Sequence, residues 1–339
     1  MDKNISALVV IGLAKNVGKT TTLNYILQNV EKDKTVAVTS IGVDGEDVDV
    51  VFGNDKPLVY VRSGSIVATA RGFLRFCDFT KEVLKVTDFS TSVGDVVILR
   101  CLTDGYARIA GPGIGRQMES LIRMLGEFGA DKILIDGALD RRTFVNPRFV
   151  EGLVLATGAS ISPSLDKVVE LTGVITTFLS LETLKYGRVK VRFKELEDAK
   201  MLGLSNGLES LFEADIFNLD ALKNLTLFGK EGGFLLIKGV VTELFMKRLI
   251  SIRKNFSKID IIVKDGTKLL ISGETYDFFI RKEGSIKVLE KLDLRCITVN
   301  PMAPDGYKFD STEFVERVSV RTGLPVFDVM VDNGTNLPI

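Results

Sequence analysis

The 339-residue chain contains no histidine and no tryptophan, and only three cysteines. Without histidine, a Ser-His-Asp or Cys-His catalytic apparatus is excluded, and so is imidazole ligation of a metal. Acid–base work therefore falls to carboxylates, lysine, tyrosine or water. Cys77, Cys101 and Cys296 stand far apart, with no paired spacing for zinc or an iron–sulfur cluster, and Cys101 and Cys296 lie in apolar runs that read as core. There is no excess of either charge, with 44 basic and 44 acidic residues. That balance gives no global electrostatic reason to expect nucleic acid or an anionic membrane as partner. Pairs such as Lys247–Arg248 read as solvated helix faces. No apolar run approaches 18 residues and the first residues lack a signal-peptide design, so a cytoplasmic protein is expected.

What is present is an ordinary globular composition, 45% hydrophobic and 26% charged, in a chain long enough for two domains. Strand-like runs alternate with helical patterns. This rhythm predicts an α/β protein with a doubly wound, mostly parallel sheet and a second, smaller α/β domain. Core strands are expected at Ala7–Gly12, Thr35–Ile41, Val96–Leu102, Lys132–Ile135 and Gly152–Ala156. A helix is expected to end near Val30, and another spans Gln117–Phe128 with Met118, Leu121, Ile122 and Leu125 on one stripe. Pro57–Ala70 reads as a hairpin. Further on, strands are expected at Phe234–Ile237, Ile259–Val263, Cys296–Val299 and Val326–Val331. The helices between them run through Leu244–Ile252, Tyr276–Ile280 and Ser311–Thr322, the last capped by Asp310. The division predicted is 1–181 for nucleotide binding, 182–224 as a bridge, and 225–339 as a C-terminal domain.

The most informative stretch is Gly12-Leu-Ala-Lys-Asn-Val-Gly-Lys-Thr-Thr-Thr22. A β-branched run feeds it and a helical pattern leaves it, the setting a phosphate-binding loop requires. Backbone amides at a helix start and one lysine would face the phosphates, and a hydroxyl would reach Mg²⁺. Gly12, Asn16, Val17, Gly18, Lys19, Thr20 and Thr21 are thus the candidate nucleotide-binding residues. Lys19 and Lys15 carry the charge. ATP with Mg²⁺ is the expected ligand. A metal also needs a carboxylate, and Lys132-Ile-Leu-Ile-Asp136 ends an apolar strand in one, so Thr20 and Asp136 are the candidate metal ligands. A turn or capping aspartate is the alternative reading of Asp136, which the neighbouring phosphate loop disfavours. Asp140-Arg141-Arg142 follow, either as phosphate-facing charge or as a structural ion pair.

Two loops complete the candidate site. Asp44, in Gly42-Val-Asp-Gly-Glu-Asp47, would position water or metal opposite the γ-phosphate, unless the acids only form a surface turn. Gly111-Pro-Gly-Ile-Gly-Arg116 opens a helix and would hold a substrate or effector anion, with a flexible connector as the alternative. Ala156-Thr-Gly-Ala-Ser160 would wall the nucleotide base.

Gly12-Leu-Ala-Lys-Asn-Val-Gly-Lys-Thr-Thr resembles the loops of the dethiobiotin-synthetase and cobyric-acid-synthase branch of P-loop proteins, the SIMIBI class, in placing a glycine six residues before Gly18. Lys15-Asn16 with Gly-Lys-Thr-Thr is also similar to the accessory GTPase of molybdopterin guanine dinucleotide synthesis. The signature lysine of the partition-ATPase and nitrogenase-iron-protein loops would fall at Ala14, which disfavours that subgroup. The guanine-reading Asn/Thr-Lys-x-Asp motif is missing, which disfavours translation-factor GTPases. Ile135-Asp-Gly-Ala-Leu-Asp-Arg-Arg142, Ala156-Thr-Gly-Ala159 and the tail from Val299-Asn-Pro through Gly306-Tyr-Lys-Phe-Asp310 to Gly323-Leu-Pro-Val-Phe-Asp328 resemble a clostridial-type family. That family is the reactivase subunit encoded beside cobalamin-dependent lysine 5,6-aminomutase. The resemblance implies ATP binding or hydrolysis driving cobalamin exchange on an aminomutase-like partner protein. The alternative is an ATP-dependent ligase or kinase acting on a small carboxylate or amine, with the substrate at Gly111–Arg116. A third is a nucleotide-binding scaffold without turnover. P-loop domains of this kind act as dimers that complete each other's sites, so a homodimer is among the expected partners.

Overall fold

The computed structural model describes residues 6–30, 33–42, 58–138, 150–228, 231–253, 255–331 and 337–338. Chain contacts divide it into two compact units, Met1–Thr172 with Asp293–Ile339, and Gly173–Leu292.

The first unit begins with β1 (Ser6–Gly12), α1 (Lys19–Asn29) and β2 (Val36–Ser40). β1 and β2 are apolar on both faces, as strands covered on each side by helices must be. β3 (Val59–Val61), β4 (Ile66–Ala70), β5 (Lys81–Thr91), β6 (Gly94–Cys101) and β7 (Gly105–Ala107) follow. α2 (Gly115–Glu127) then buries Met118, Leu121, Ile122 and Leu125, the stripe its sequence predicts. β8 (Lys132–Ala138), β9 (Gly152–Gly158) and the first half of α3 (Leu165–Leu179), whose residues from Gly173 belong to the second unit, end this stretch.

The second unit holds α4 (Gly187–Glu195), β10 (Lys200–Ser205), β11 (Ser210–Asp215), β12 (Gly233–Ile237), β13 (Val241–Thr242), α5 (Glu243–Ile252), β14 (Ile259–Val263), β15 (Leu269–Leu270), α6 (Gly273–Arg281) and β16 (Ser285–Val288). Its sheet runs β11-β10-β12-β14-β16, with β12, β14 and β16 parallel. Lys247 and Arg248 lie on α5 and pair with Glu243 and Asp220, as solvated-face residues do.

The chain then returns to the first unit through β17 (Leu294–Asn300), α7 (Ser311–Thr322) and β18 (Val326–Phe327). Asp310 caps α7, its Oδ1 accepting from the Glu313 amide at 2.8 Å. The finished sheet has nine strands in the order β18-β17-β9-β1-β8-β2-β4-β6-β5. All adjacent pairs from β18 to β4 are parallel, and β6 runs antiparallel to both β4 and β5.

Four expectations need correction. Residues 225–339 do not form one domain, because β17 pairs with β9 in the first sheet. Strand–helix rhythm is local and cannot say which sheet a strand joins. Residues 182–224 are no bridge, since they supply α4, β10 and β11 to the second unit. β10 reads weakly because Gly203 interrupts it, and the Phe212 ring of β11 fills the space a Cβ would take. The Pro57–Ala70 hairpin does not form. β3 pairs with β7, while β4 joins the main sheet, its path fixed as the Gly64 amide donates to the Cys101 carbonyl at 2.8 Å. Finally, Val96–Leu102 corresponds to β6, which is antiparallel and penultimate in the sheet rather than one of the parallel core strands.

Candidate functional site

β1 lies between β8 and β9, so the loop that leaves its carboxyl end has a strand end on either side. That loop turns back over the sheet and starts α1 at Lys19. Gly18 is the N-cap, in the left-handed region at φ 84°, and α1 has no side-chain cap. Asn16 is also left-handed, at φ 58°. An uncapped first turn leaves amides without intrahelical acceptors, facing the direction the loop curls from. Glycine is required at Gly18 for a second reason, since a Cβ there would sit 2.9 Å from Cβ of Asn300.

The loop is tied down by its neighbours. The Leu13 amide donates to the Ala156 carbonyl at 2.9 Å, and the Ser160 hydroxyl donates to the Lys15 carbonyl at 2.8 Å. From β17, Asn300 Nδ2 donates to the Asn16 carbonyl at 3.0 Å. One turn into α1, the buried hydroxyls of Thr22 and Thr298 meet at 2.8 Å. These bonds hold the backbone while the side chains of Lys15, Asn16 and Thr21 remain exposed and those of Lys19 and Thr20 half-buried.

Asp136 lies on β8, in register with Val10 of β1 on one side and Ser40 of β2 on the other. Its Oδ1 is 3.1 Å from Nζ of Lys19, both side chains being largely enclosed, with exposures of 15% and 19%. The structure thus brings together the loop lysine and the β8 carboxylate that the sequence placed more than a hundred residues apart. Thr20 follows Lys19 in the same first turn. Among the described residues no three acidic, cysteine or histidine side chains cluster as a ready-made metal cage. A nucleotide-bound Mg²⁺ needs none, because one carboxylate, a hydroxyl, water and phosphate oxygens complete its shell. Thr20 and Asp136 fit that donor set.

The Gly111–Arg116 loop lies on the same edge. The Gly42 amide donates to Pro112, and Gly111 donates to Gly42. A Cβ on Gly111 would fall 2.0 Å from the Ser40 carbonyl, so only glycine lets the loop lie this close to the end of β2. Arg116 is exposed in the first turn of α2. Asp44 and the Asp140–Arg142 run lie outside the described residues. Residues 156–160 stand beside the loop, with Gly158 close to Val17 and Asn300.

The cysteines take no part. Burial pushes the Cys101 and Cys296 thiols up to about 12 and raises Cys77, so none supplies a thiolate near neutrality. A cavity of about 140 Å³ lies at the far end of α1. There Arg62 donates to the Leu27 and Gln28 carbonyls and closes the helix C-terminus.

Sequence reasoning by local motif did not assign roles to Asn300 and Thr298. Their signal is only that Asn300 ends a β-branched strand before a proline. Which strand lies beside the loop is a property of sheet order. No protein-family model matches the chain, and no curated protein matches it.

Proposed function

We propose that the chain is a Mg²⁺–ATP-binding P-loop NTPase of the doubly wound kind, coupling nucleotide binding or hydrolysis to work on a partner protein. The observation that carries this reading is the Lys19–Asp136 pair at 3.1 Å, formed between the first residue of α1 and β8, the strand beside β1, next to a left-handed Gly18 and an uncapped helix start. Lysine, carboxylate and free amides in one place are what a β,γ-phosphate and its metal ask for. Lys19 would pass from Asp136 to the phosphates, the first-turn amides would bind phosphate oxygens, and Thr20 with Asp136 would hold Mg²⁺. The exposed Lys15 would add charge near the γ-phosphate. A bound Mg²⁺ would neutralise charge on the β- and γ-phosphates. Phosphoryl transfer needs mainly positioning and charge neutralisation, so a chain without histidine is no worse equipped for it.

The partner is proposed from the motif resemblance to the reactivase subunit of a cobalamin-dependent aminomutase. Calorimetric titration of the full chain with Mg–ATP and Mg–GTP tests the first half of the proposal. Lys19→Ala removes charge-assisted bonds worth about 1.5–3 kcal/mol each, so affinity falls at least roughly a hundredfold. Affinity that survives this change refutes the phosphate-loop reading. Hydrolysis that rises on adding the aminomutase supports the coupling. Rates indifferent to it remove the partner from the proposal.

A further inference from the structure

After β4, at the same edge of the sheet as the phosphate loop, a short 3-10 turn spans Arg71–Phe76. The guanidinium carbon of Arg75 lies 4.7 Å from the centre of the Phe76 ring. That of Arg108 lies 4.7 Å from the same ring and 5.5 Å from Phe73. Two cations are therefore held within twice 4.7 Å of one another. Among the described residues no carboxylate comes within ion-pair distance of either, and Arg108 Nε is buried without a hydrogen-bond partner. Aromatic stacking orients a guanidinium, but it answers none of its N–H donors. Two like charges gathered with an unanswered donor describe a site completed by an oxyanion.

Its position relates it to the nucleotide. The Thr69 hydroxyl donates to the Arg108 carbonyl at 2.8 Å and accepts from the Ala110 amide at 3.2 Å. The next residue, Gly111, lies against Ser40, and Ser40 is in register with Asp136 beside Lys19. With strands spaced about 4.8 Å, Thr69 on β4 stands roughly 10 Å across the sheet from Asp136. An extended backbone of roughly eight atoms, rising about 1.25 Å per bond, spans that distance.

We propose that Arg75 and Arg108 bind the acidic group of a small second substrate, a carboxylate- or phosphate-bearing molecule whose other end reaches the nucleotide. This rests on the phosphate-loop reading for its second half only. The arginine pair lies further along the edge than the Gly111–Arg116 loop, which the sequence had suggested for the substrate.

The test uses the full chain carrying Lys19→Ala, so that anions cannot report on the phosphate loop. Inorganic phosphate and succinate are titrated calorimetrically at low salt into this protein and into versions that also carry Arg75→Gln or Arg108→Gln. Saturable binding of one anion to the Lys19→Ala protein, weakened roughly tenfold to a hundredfold by either glutamine, is expected. Whichever of the two anions is preferred names the acid. Arg108→Lys keeps the charge but loses the planar fork, and should fall between. Arg75 is exposed, so its replacement leaves folding intact even if Arg108→Gln does not. Absence of anion binding, or binding indifferent to both glutamines, overturns the proposal. Nucleotide affinity that survives Lys19→Ala would instead sink the phosphate-loop reading and leave the arginine result standing.

Discussion

Gly18→Ala tests whether the loop's backbone, and not only its lysine, makes the site. At φ 84° an alanine costs about 1–2 kcal/mol relative to glycine. The less flexible unfolded chain returns about 0.4–1 kcal/mol of that. The new Cβ would also stand 2.9 Å from Cβ of Asn300, a separation real atoms do not keep. Asn300 must move, and its 3.0 Å bond to the Asn16 carbonyl is lost at about 1 kcal/mol. The sum is a destabilisation of about 2 kcal/mol. On the proposed reading Mg–ATP affinity should fall at least about tenfold, because misplaced amides would no longer converge on one phosphate.

Residue 300 separates strain from contact. In the native background Asn300→Ala should be more stable than Asn300→Gly by about 0.5–1 kcal/mol, since glycine in a strand carries extra unfolded entropy. With Gly18→Ala the order should invert, because only glycine removes the colliding Cβ. Urea unfolding midpoints and calorimetric affinities of the six proteins report this directly. If the order does not invert, the close approach of Gly18 to Asn300 is not what demands glycine there.

Two further outcomes follow from bonds within single units. Thr22→Val leaves the buried Thr298 hydroxyl alone and should cost about 1–3 kcal/mol, whereas Thr22→Val with Thr298→Val recovers most of it in urea melts. Burial raises the Glu243 carboxyl, but bonds from Thr275 and Ser272 and the ammonium of Lys247 outweigh it and hold the group down to about 2. With an unfolded value near ~4.3, its contribution is complete above that pH and is lost as pH falls towards 2. Because the side chain is 36% exposed, screening limits the effect to about 1 kcal/mol. Glu243→Gln should flatten the acid limb of the stability–pH curve by that amount, and an unchanged limb counts against the assignment.

How legible the fold is from sequence depends on the range of the information. β14 and α7 have the predicted bounds because a run of β-branched residues and an aspartate cap are written in adjacent residues. β5 went unread, since as an edge strand it leaves Val83 and Val86 exposed and buries only Thr87 and Phe89, which breaks the pattern of a covered strand. The return of β17 to the first sheet is invisible locally, for its apolar faces would suit either sheet. The same distinction governs the site. Lys19 and Thr20 are legible from spacing, and Asp136 as the acid that closes an apolar run, although β8 continues past it to Ala138. Asn300 is not, because what makes it part of the loop is β17 lying against β9.

The resting pair between Lys19 and Asp136 constrains what can bind. If a nucleotide draws Lys19 towards its phosphates, the Asp136 carboxylate, only 15% exposed, would lose this ammonium and stand near a polyanion. At about 4 Å and an effective dielectric near 20, repulsion between unit charges is about 4 kcal/mol, a thousandfold in affinity before screening. On the proposed reading, a divalent cation arriving with the nucleotide would turn that repulsion into attraction, and the ion pair would make Lys19 available chiefly to metal-bound nucleotide. Asp136→Asn would remove both the repulsion and the proposed metal ligand. Metal-free ATP, measured in chelator, should therefore bind the Asn variant more tightly than the native protein, while Mg–ATP binds it more weakly. The preference for Mg–ATP should shrink by at least about tenfold. If the variant instead weakens both forms equally, Asp136 serves only to orient Lys19, and the metal must find its carboxylate elsewhere.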